Sequence, residues 1–160
     1  MTKSLSKILI AVAICLAVGF LSSYATQGSI ETWYAALKKP TFNPPNWVFA
    51  PVWTVLYVLM GIAAGIVWSK GLQHKLVKNS LLYFAIQLAL NGLWTIVFFG
   101  FKNIVGALVV IALLLLMIFL TYLRFKVVDK KEAYLLITFI VWVCFATVLH
   151  FAVGLLNTQY

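Results

Sequence analysis

One hundred and sixty residues leave room for a single unit, and 64% of them are hydrophobic against 9% charged, which excludes an ordinary water-soluble domain and fits a chain dissolved in a bilayer. The net charge of +9 raises nucleic acid as a partner, but the cations are scattered over short connections rather than gathered in a patch, so no nucleic-acid surface is expected. The only acids, Glu31, Asp129 and Glu132, provide no carboxylate pair, zinc-type cluster or triad, so neither a metal site nor hydrolytic chemistry is expected.

A hydrocarbon core of ~30 Å takes roughly 20 apolar residues per helix. Five runs meet that length: about 8–25, 47–68, 76–101, 104–123 and 133–156. They predict an all-α integral membrane protein, a five-helix bundle forming one transmembrane domain over 1–160. The first run carries two readings. Lys3 and Lys7 before an apolar stretch ending in Ser23-Tyr24-Ala25 resemble a signal peptide as well as a retained helix.

Between the first two runs lies 26–46, a connection long enough to have a function of its own. The stretch from Trp33 to Trp53 holds all four prolines and three of the six tryptophans. Lys39-Pro40 and Asn43-Pro44-Pro45 favour extended backbone that costs little entropy to order. A stiff aromatic lid at a bilayer surface suits capture of a flat apolar ligand. Asn46 is placed to cap the second helix, with Pro51 near its first turn.

Charge sets the expected orientation. Lys3, Lys7, Lys70, Lys75, Lys78, Arg124, Lys126, Lys130 and Lys131 share one side, and Lys38, Lys39 and Lys102 the other. The positive-inside rule then puts the N-terminus in the cytoplasm and the Trp/Pro loop outside, and the basic pI fits a bacterial cell membrane.

Three helical stripes converge beneath that loop. Trp53 lies about six residues into the second helix, or ~9 Å deep, with Tyr57 one turn on along the same face. The third helix aligns Gln87, Asn91 and Trp94 or Thr95, and the fifth aligns Trp142, Ala146 and His150. Polar groups at such depth face a cavity or a bundle interior. Gln87 and Asn91 therefore fit either a pocket or interhelical hydrogen bonding that only holds the bundle together. His150 fits a haem-iron ligand or a hydrogen-bonded core histidine. Gly61 with Gly65, and Ala85 with Ala89, are small-residue pairs suited to a homodimer face or to close packing within one chain. Cys15 and Cys144 lie within apolar runs and read as packing residues.

Several ordered blocks carry a resemblance. They are Trp33-Tyr34…Leu37-x-Lys39-Pro40, Pro44-Pro45-x-Trp47-Val48-Phe49-Ala50-Pro51-Val52-Trp53-Thr54-x-Leu56-Tyr57, Gln87-Leu88-Ala89-Leu90-Asn91…Trp94…Phe98-Phe99-Gly100 and Trp142-x-x-Phe145-Ala146-Thr147-x-Leu149. On these the chain resembles the translocator protein family, also called tryptophan-rich sensory proteins (TspO/MBR, peripheral benzodiazepine receptor). The resemblance implies five retained helices. It also implies binding of porphyrin or haem as ligand, or of another flat hydrophobic molecule, with no cofactor required. The pocket it implies is lined by Trp33, Pro44, Trp47, Trp53, Gln87, Asn91, Trp94, Trp142, Ala146 and Leu149. Some members resemble light- and oxygen-dependent porphyrin-degrading proteins, which would make Trp53 and Trp142 the catalytic pair; transport of porphyrins is a further implied activity. The chain departs from the family pattern at His150, which replaces a usual asparagine. Phe151 stands at the tyrosine of the cholesterol-recognition pattern with no basic residue after it, which disfavours sterol.

Overall fold

The computed structural model describes residues 2–157 of the chain. Five helices run in sequence: α1 (Thr2–Ser29), α2 (Asn46–Ser69), α3 (Lys75–Thr95), α4 (Ile104–Val128) and α5 (Lys130–Asn157). All five are long and apolar enough to cross a membrane. A helix of 28 residues such as α1 spans about 42 Å at 1.5 Å per residue, more than the ~30 Å hydrocarbon core. The expectation of an all-α five-helix membrane protein is met.

The first helix is longer than its apolar run. It continues past Ala25 to Ser29 and then through a π-helical turn, Ile30–Tyr34. Irregular backbone occupies only 37–45, not the whole of 26–46. Ser22, Thr26 and Thr32 donate their hydroxyls to backbone carbonyls one turn back, so these polar residues satisfy themselves within the helix. The π-helical turn buries Tyr34, whose ring packs edge-on to Phe98 and Phe99 at 6.1 and 5.5 Å. Aromatic contacts to the end of α3 thus hold helical backbone where sequence polarity suggested a loop. α3 likewise ends in a π-helical turn, Ile96–Gly100, which contributes Phe98 to the same cluster. Asn46 is the first residue of α2 rather than its cap; Pro45 precedes the helix and no side chain caps it.

The interior is built from the large apolar side chains of α2, α4 and α5: Met60, Val67, Ile111, Leu114, Ile118, Phe125, Leu136, Phe139 and Val143 are essentially inaccessible. The helix surfaces remain apolar outside, as lipid contact requires, with Leu9, Phe20, Leu82, Val109, Leu116 and Val148 all exposed. α1 and α2 make the closest approach. A β-carbon added at Gly61 would lie 2.5 Å from Val12 Cα, and one at Gly65 would lie 2.4 Å from Ile8 Cα. The Gly61/Gly65 pair therefore serves backbone-to-backbone packing inside one chain. Ala85 and Ala89 are exposed on α3. At the lysine-rich end, Lys70 Nζ meets Asp129 at 2.9 Å; this hydrogen bond holds the carboxyl below the usual carboxylate range and joins the α2–α3 turn to the α4–α5 turn.

Candidate functional site

Three helices present the same periodic face to one space. On α1 it is Leu16, Gly19, Phe20, Ser23, Tyr24 and Gln27; on α2, Asn46, Phe49, Ala50, Trp53, Thr54 and Tyr57; on α5, Trp142, Ala146, Leu149, His150 and Val153. Each set steps by three or four residues, the repeat of a single helix face. With Trp94, Thr95, Phe98 and Phe99 from the end of α3, they enclose a cavity of about 590 Å³ at the end of the bundle that carries the Trp/Pro loop. That volume lies within the ~300–1,000 Å³ range of small-molecule sites, and such sites are mostly apolar with few polar groups.

The walls are indole. Trp53 lies 6.2 Å from Trp94 in near-parallel stacking and 6.5 Å from Trp142 edge to face. Phe49 packs on Trp142 at 6.2 Å, and Phe98 lies flat against Trp94 at 5.7 Å. Aromatic planes held in such contacts keep their orientation without a ligand, so little ordering entropy is lost on binding. The Trp142 indole nitrogen is buried with no hydrogen-bond partner among the described residues.

His150 is buried, and both ring nitrogens are engaged. Trp94 Nε1 donates to Nδ1 at 3.4 Å, and Nε2 lies 2.9 Å from the Ile104 carbonyl oxygen. Nδ1 accepts, so Nε2 carries the proton and donates. The ring also packs on Phe98 at 4.5 Å. His150 thus joins α5 to α3 and α4 as a neutral imidazole. The site does not fit an axial iron ligand at this position, because neither nitrogen offers a free lone pair to a metal. Among the described residues, no group of three or more His, Cys, Asp or Glu side chains is placed to hold a metal ion.

The residues expected in the site fall into two groups. Trp53, Tyr57, Trp94, Trp142, Ala146, Leu149 and His150 line the cavity together. Trp33, Pro44, Trp47, Gln87 and Asn91 do not. Trp33 packs edge-on to Phe98 at 5.3 Å and lines a separate depression of about 390 Å³ with Lys38 and Lys102. Trp47, at the start of α2, is 74% exposed. Pro44 lies in the connecting segment and touches neither space. Gln87 and Asn91 are 0% and 1% exposed and sit behind the cavity wall. Gln87 Nε2 approaches the Met60 sulfur at 3.7 Å, and Tyr57 donates its hydroxyl to Asn91 Oδ1 at 2.9 Å. Tyr57 therefore stands between the cavity and the amides. Its ring fits because Gly19 faces it, where a β-carbon would lie 2.4 Å from Tyr57 Cε2.

Neither the α1 wall nor Phe49 and Ala50 was expected in the site, and Asn46 was expected only as the cap of the second helix. The usable signal was Ser23 and Gln27 at helical spacing with Gly19 and Phe20. It was obscured by ending the first helix at Ala25.

The Tyr57–Asn91 bond yields a prediction. Tyr57→Phe leaves Asn91 Oδ1 buried without its donor, at a cost of about 1 kcal/mol, between the ~0.6 kcal/mol membrane average and the 1–3 kcal/mol penalty for a buried unpaired group. Asn91→Leu in that background should recover part of the loss. Thermal unfolding of the single and double variants in detergent checks this; additive losses would remove the bond from the account.

A five-span membrane protein with a tryptophan-walled cavity at the proline-bearing end of its bundle is the class defined by fold and geometry. The TspO/MBR family model matches residues 11–156, and the chain belongs to that family. It is 40% identical over 157 residues to "Tryptophan-rich protein TspO" of Chlorobaculum tepidum, covering 98% of this chain and 99% of the relative. It is 41% identical to the protein of the same name from Archaeoglobus fulgidus, over 94% and 97% of the two chains. Similarity extends to the human "Translocator protein", 37% identical over 84% of this chain and 80% of that one. The first apolar run is therefore a span of the family fold.

Proposed function

We propose that this protein binds a tetrapyrrole, a porphyrin or haem-related macrocycle, and acts as its sensor, scavenger or regulator in the membrane. The observation carrying this reading is the indole-walled cavity: Trp53 in ring contact with both Trp94 and Trp142, with about 590 Å³ between them and α1. A macrocycle lies against these faces through stacking and dispersion. Asn91 acts at one remove, by holding the Tyr57 hydroxyl, while Gln87 packs against Met60 behind the wall. The connecting segment 37–45 contributes no residue to the cavity lining; its Phe42 packs on Phe145 of α5 at 6.5 Å. Lys38 and Lys39 lie outside the cavity lining, so the polar rim of Ser23, Gln27, Asn46 and Thr54 meets the propionate edge instead. The N-terminus faces the cytoplasm and the loop the exterior of a bacterial-type membrane.

Protoporphyrin IX added to the detergent-purified protein should quench tryptophan emission with a dissociation constant at or below the micromolar range, equivalent to about 8 kcal/mol. Quenching that never saturates, or that equals that of an unrelated five-span protein, would sink the reading. The occupied nitrogens of His150 add a sharper expectation. His150→Asn should change the affinities for metal-free and iron protoporphyrin by the same factor, within about threefold (~0.65 kcal/mol). A loss confined to the iron form, read from the visible absorption of the bound haem, would restore His150 as a ligand.

A second reading is light- and oxygen-dependent breakdown of the macrocycle, with Trp53 and Trp142 as the catalytic pair. The contact among three indoles favours it, since oxidisable rings in series pass electrons to a photoexcited ligand. A product spectrum on illumination that requires Trp53 or Trp142 would support it; bleaching at the same rate in both single variants would remove it.

A further inference from the structure

The cavity is not closed on all sides, and its opening lies between two helices long and apolar enough to span a membrane. Of the residues lining it on α1, Phe20, Ser23, Tyr24 and Gln27 are exposed, and on α2 so are Asn46, Ala50 and Thr54. These two rows run along the facing edges of α1 and α2 in the half of the bundle nearest the loop. In the other half the same two helices are locked together. There Gly61 and Gly65 leave no room for even a β-carbon against Val12 and Ile8. α1 and α2 thus form a wedge, shut at its glycine end and parted at its loop end, with the indole cavity behind the gap.

The chemistry of the edges is unusual for a lipid-facing surface. Neighbouring helix faces carry leucine, isoleucine, valine and phenylalanine, whereas the gap is edged by a hydroxyl pair, two amides and the stacked rings of Phe20 and Tyr24, 6.2 Å apart. Asn46 opens α2 and Gln27 lies past the apolar run of α1, so the amides mark the interfacial mouth of the gap, while Ser23 and Thr54 lie deeper, where a lipid-facing helix is ordinarily apolar. Such an edge suits a flat molecule with an apolar body and a polar rim, sliding in from the surrounding leaflet. We infer that the cleft between α1 and α2 is a lateral portal, and that the ligand reaches the cavity from the loop-side leaflet rather than from water through the 37–45 segment. The inference rests on the binding reading above and supplies its route. The glycine clamp fixes the depth to which the gap extends, and Phe20 with Tyr24 forms its outer lip.

The test closes the gap covalently. Ser23→Cys with Ala50→Cys, in a Cys144→Ala background, is joined by a short bis-maleimide in lipid nanodiscs, and the linked peptide is confirmed by mass. Protoporphyrin IX association and release are then followed by stopped-flow tryptophan quenching. Relative to the same double-cysteine variant before linking, linking should slow both rates at least about tenfold, since a portal controls passage. Unchanged rates in the linked protein, or slowing produced instead by tethering 37–45, would overturn the portal. A ligand-free arm separates this from the binding reading: lipids brominated in their acyl chains should quench tryptophan emission more in unlinked than in linked protein. If the porphyrin does not bind at all, link-dependent quenching upholds the cleft and sinks the binding reading. Link-independent quenching sinks the cleft as well.

Discussion

Replacing Trp53 and Trp142 together by alanine should weaken protoporphyrin IX binding by about thirtyfold or more. Stacking of a flat aromatic ligand on a side-chain ring contributes ~1–3 kcal/mol by alanine substitution, and two such faces at the lower figure give ~2 kcal/mol, or thirtyfold. The paired phenylalanine variant keeps a ring at each site and should lose only a few-fold. The gradation matters because Trp53 also packs on Tyr57 and Phe139, at 5.9 and 6.1 Å; a variant that merely misfolds would show lowered thermal stability along with lost binding. Isothermal or fluorescence titration of both pairs, with unfolding curves alongside, distinguishes the two. Wild-type affinity in the alanine pair would mean that the ligand does not lie against these indoles.

The second large effect belongs to the glycine clamp. Gly65→Ala places a β-carbon 2.4 Å from Ile8 Cα, and Gly61→Ala one 2.5 Å from Val12 Cα. The obstacle in both cases is backbone, which cannot rotate away as a side-chain tip can. Overpacking of this kind costs ~1–3 kcal/mol per site, and the two sites, one turn apart, should be coupled rather than additive. Once the first substitution has pushed α1 off α2, the second meets less resistance. Each single variant should melt several degrees below the wild type in detergent, and the pair by less than the sum. Unaltered melting would show that α1 and α2 do not approach as closely as described. Gly28, with nothing near its absent side chain, is the internal control and should tolerate alanine.

Legibility in the sequence was uneven for reasons that particular residues make clear. Five spans were readable because helix length in a bilayer is set by its thickness, and the runs ending near Trp68, Phe101 and Leu156 match the helices closely. The convergence of Trp53, Trp94, Trp142 and His150 on one end was readable from helical period plus alternating direction. Buried Gln87 and Asn91 were ambiguous for a physical reason: polarity at depth says that a residue avoids lipid, not whether it meets a cavity or a neighbour. Here Asn91 meets the Tyr57 hydroxyl. Trp47 misled because an indole near a proline-rich loop serves equally as a pocket wall or as an exposed anchor at the interface. α1 was the hardest to read. In a soluble protein an apolar stripe marks the inward face, but in lipid both faces are apolar, so only its few polar residues and Gly19 distinguish the cavity side. Those residues lie close to a helix end that sequence polarity placed four residues too early.

The most direct test of the central claim, that three indoles from separate spans wall a single ligand cavity, is mass-spectrometric mapping of tryptophan oxidation after brief illumination of the protein with one equivalent of protoporphyrin IX. Solvent exposure alone would rank Trp47, at 74%, as the most vulnerable. Ligand held in the cavity predicts the reverse: Trp53, Trp94 and Trp142 oxidise first, while Trp47 and Trp68 lag. Oxidation that begins at Trp47 and spares Trp53 and Trp142 would contradict the account.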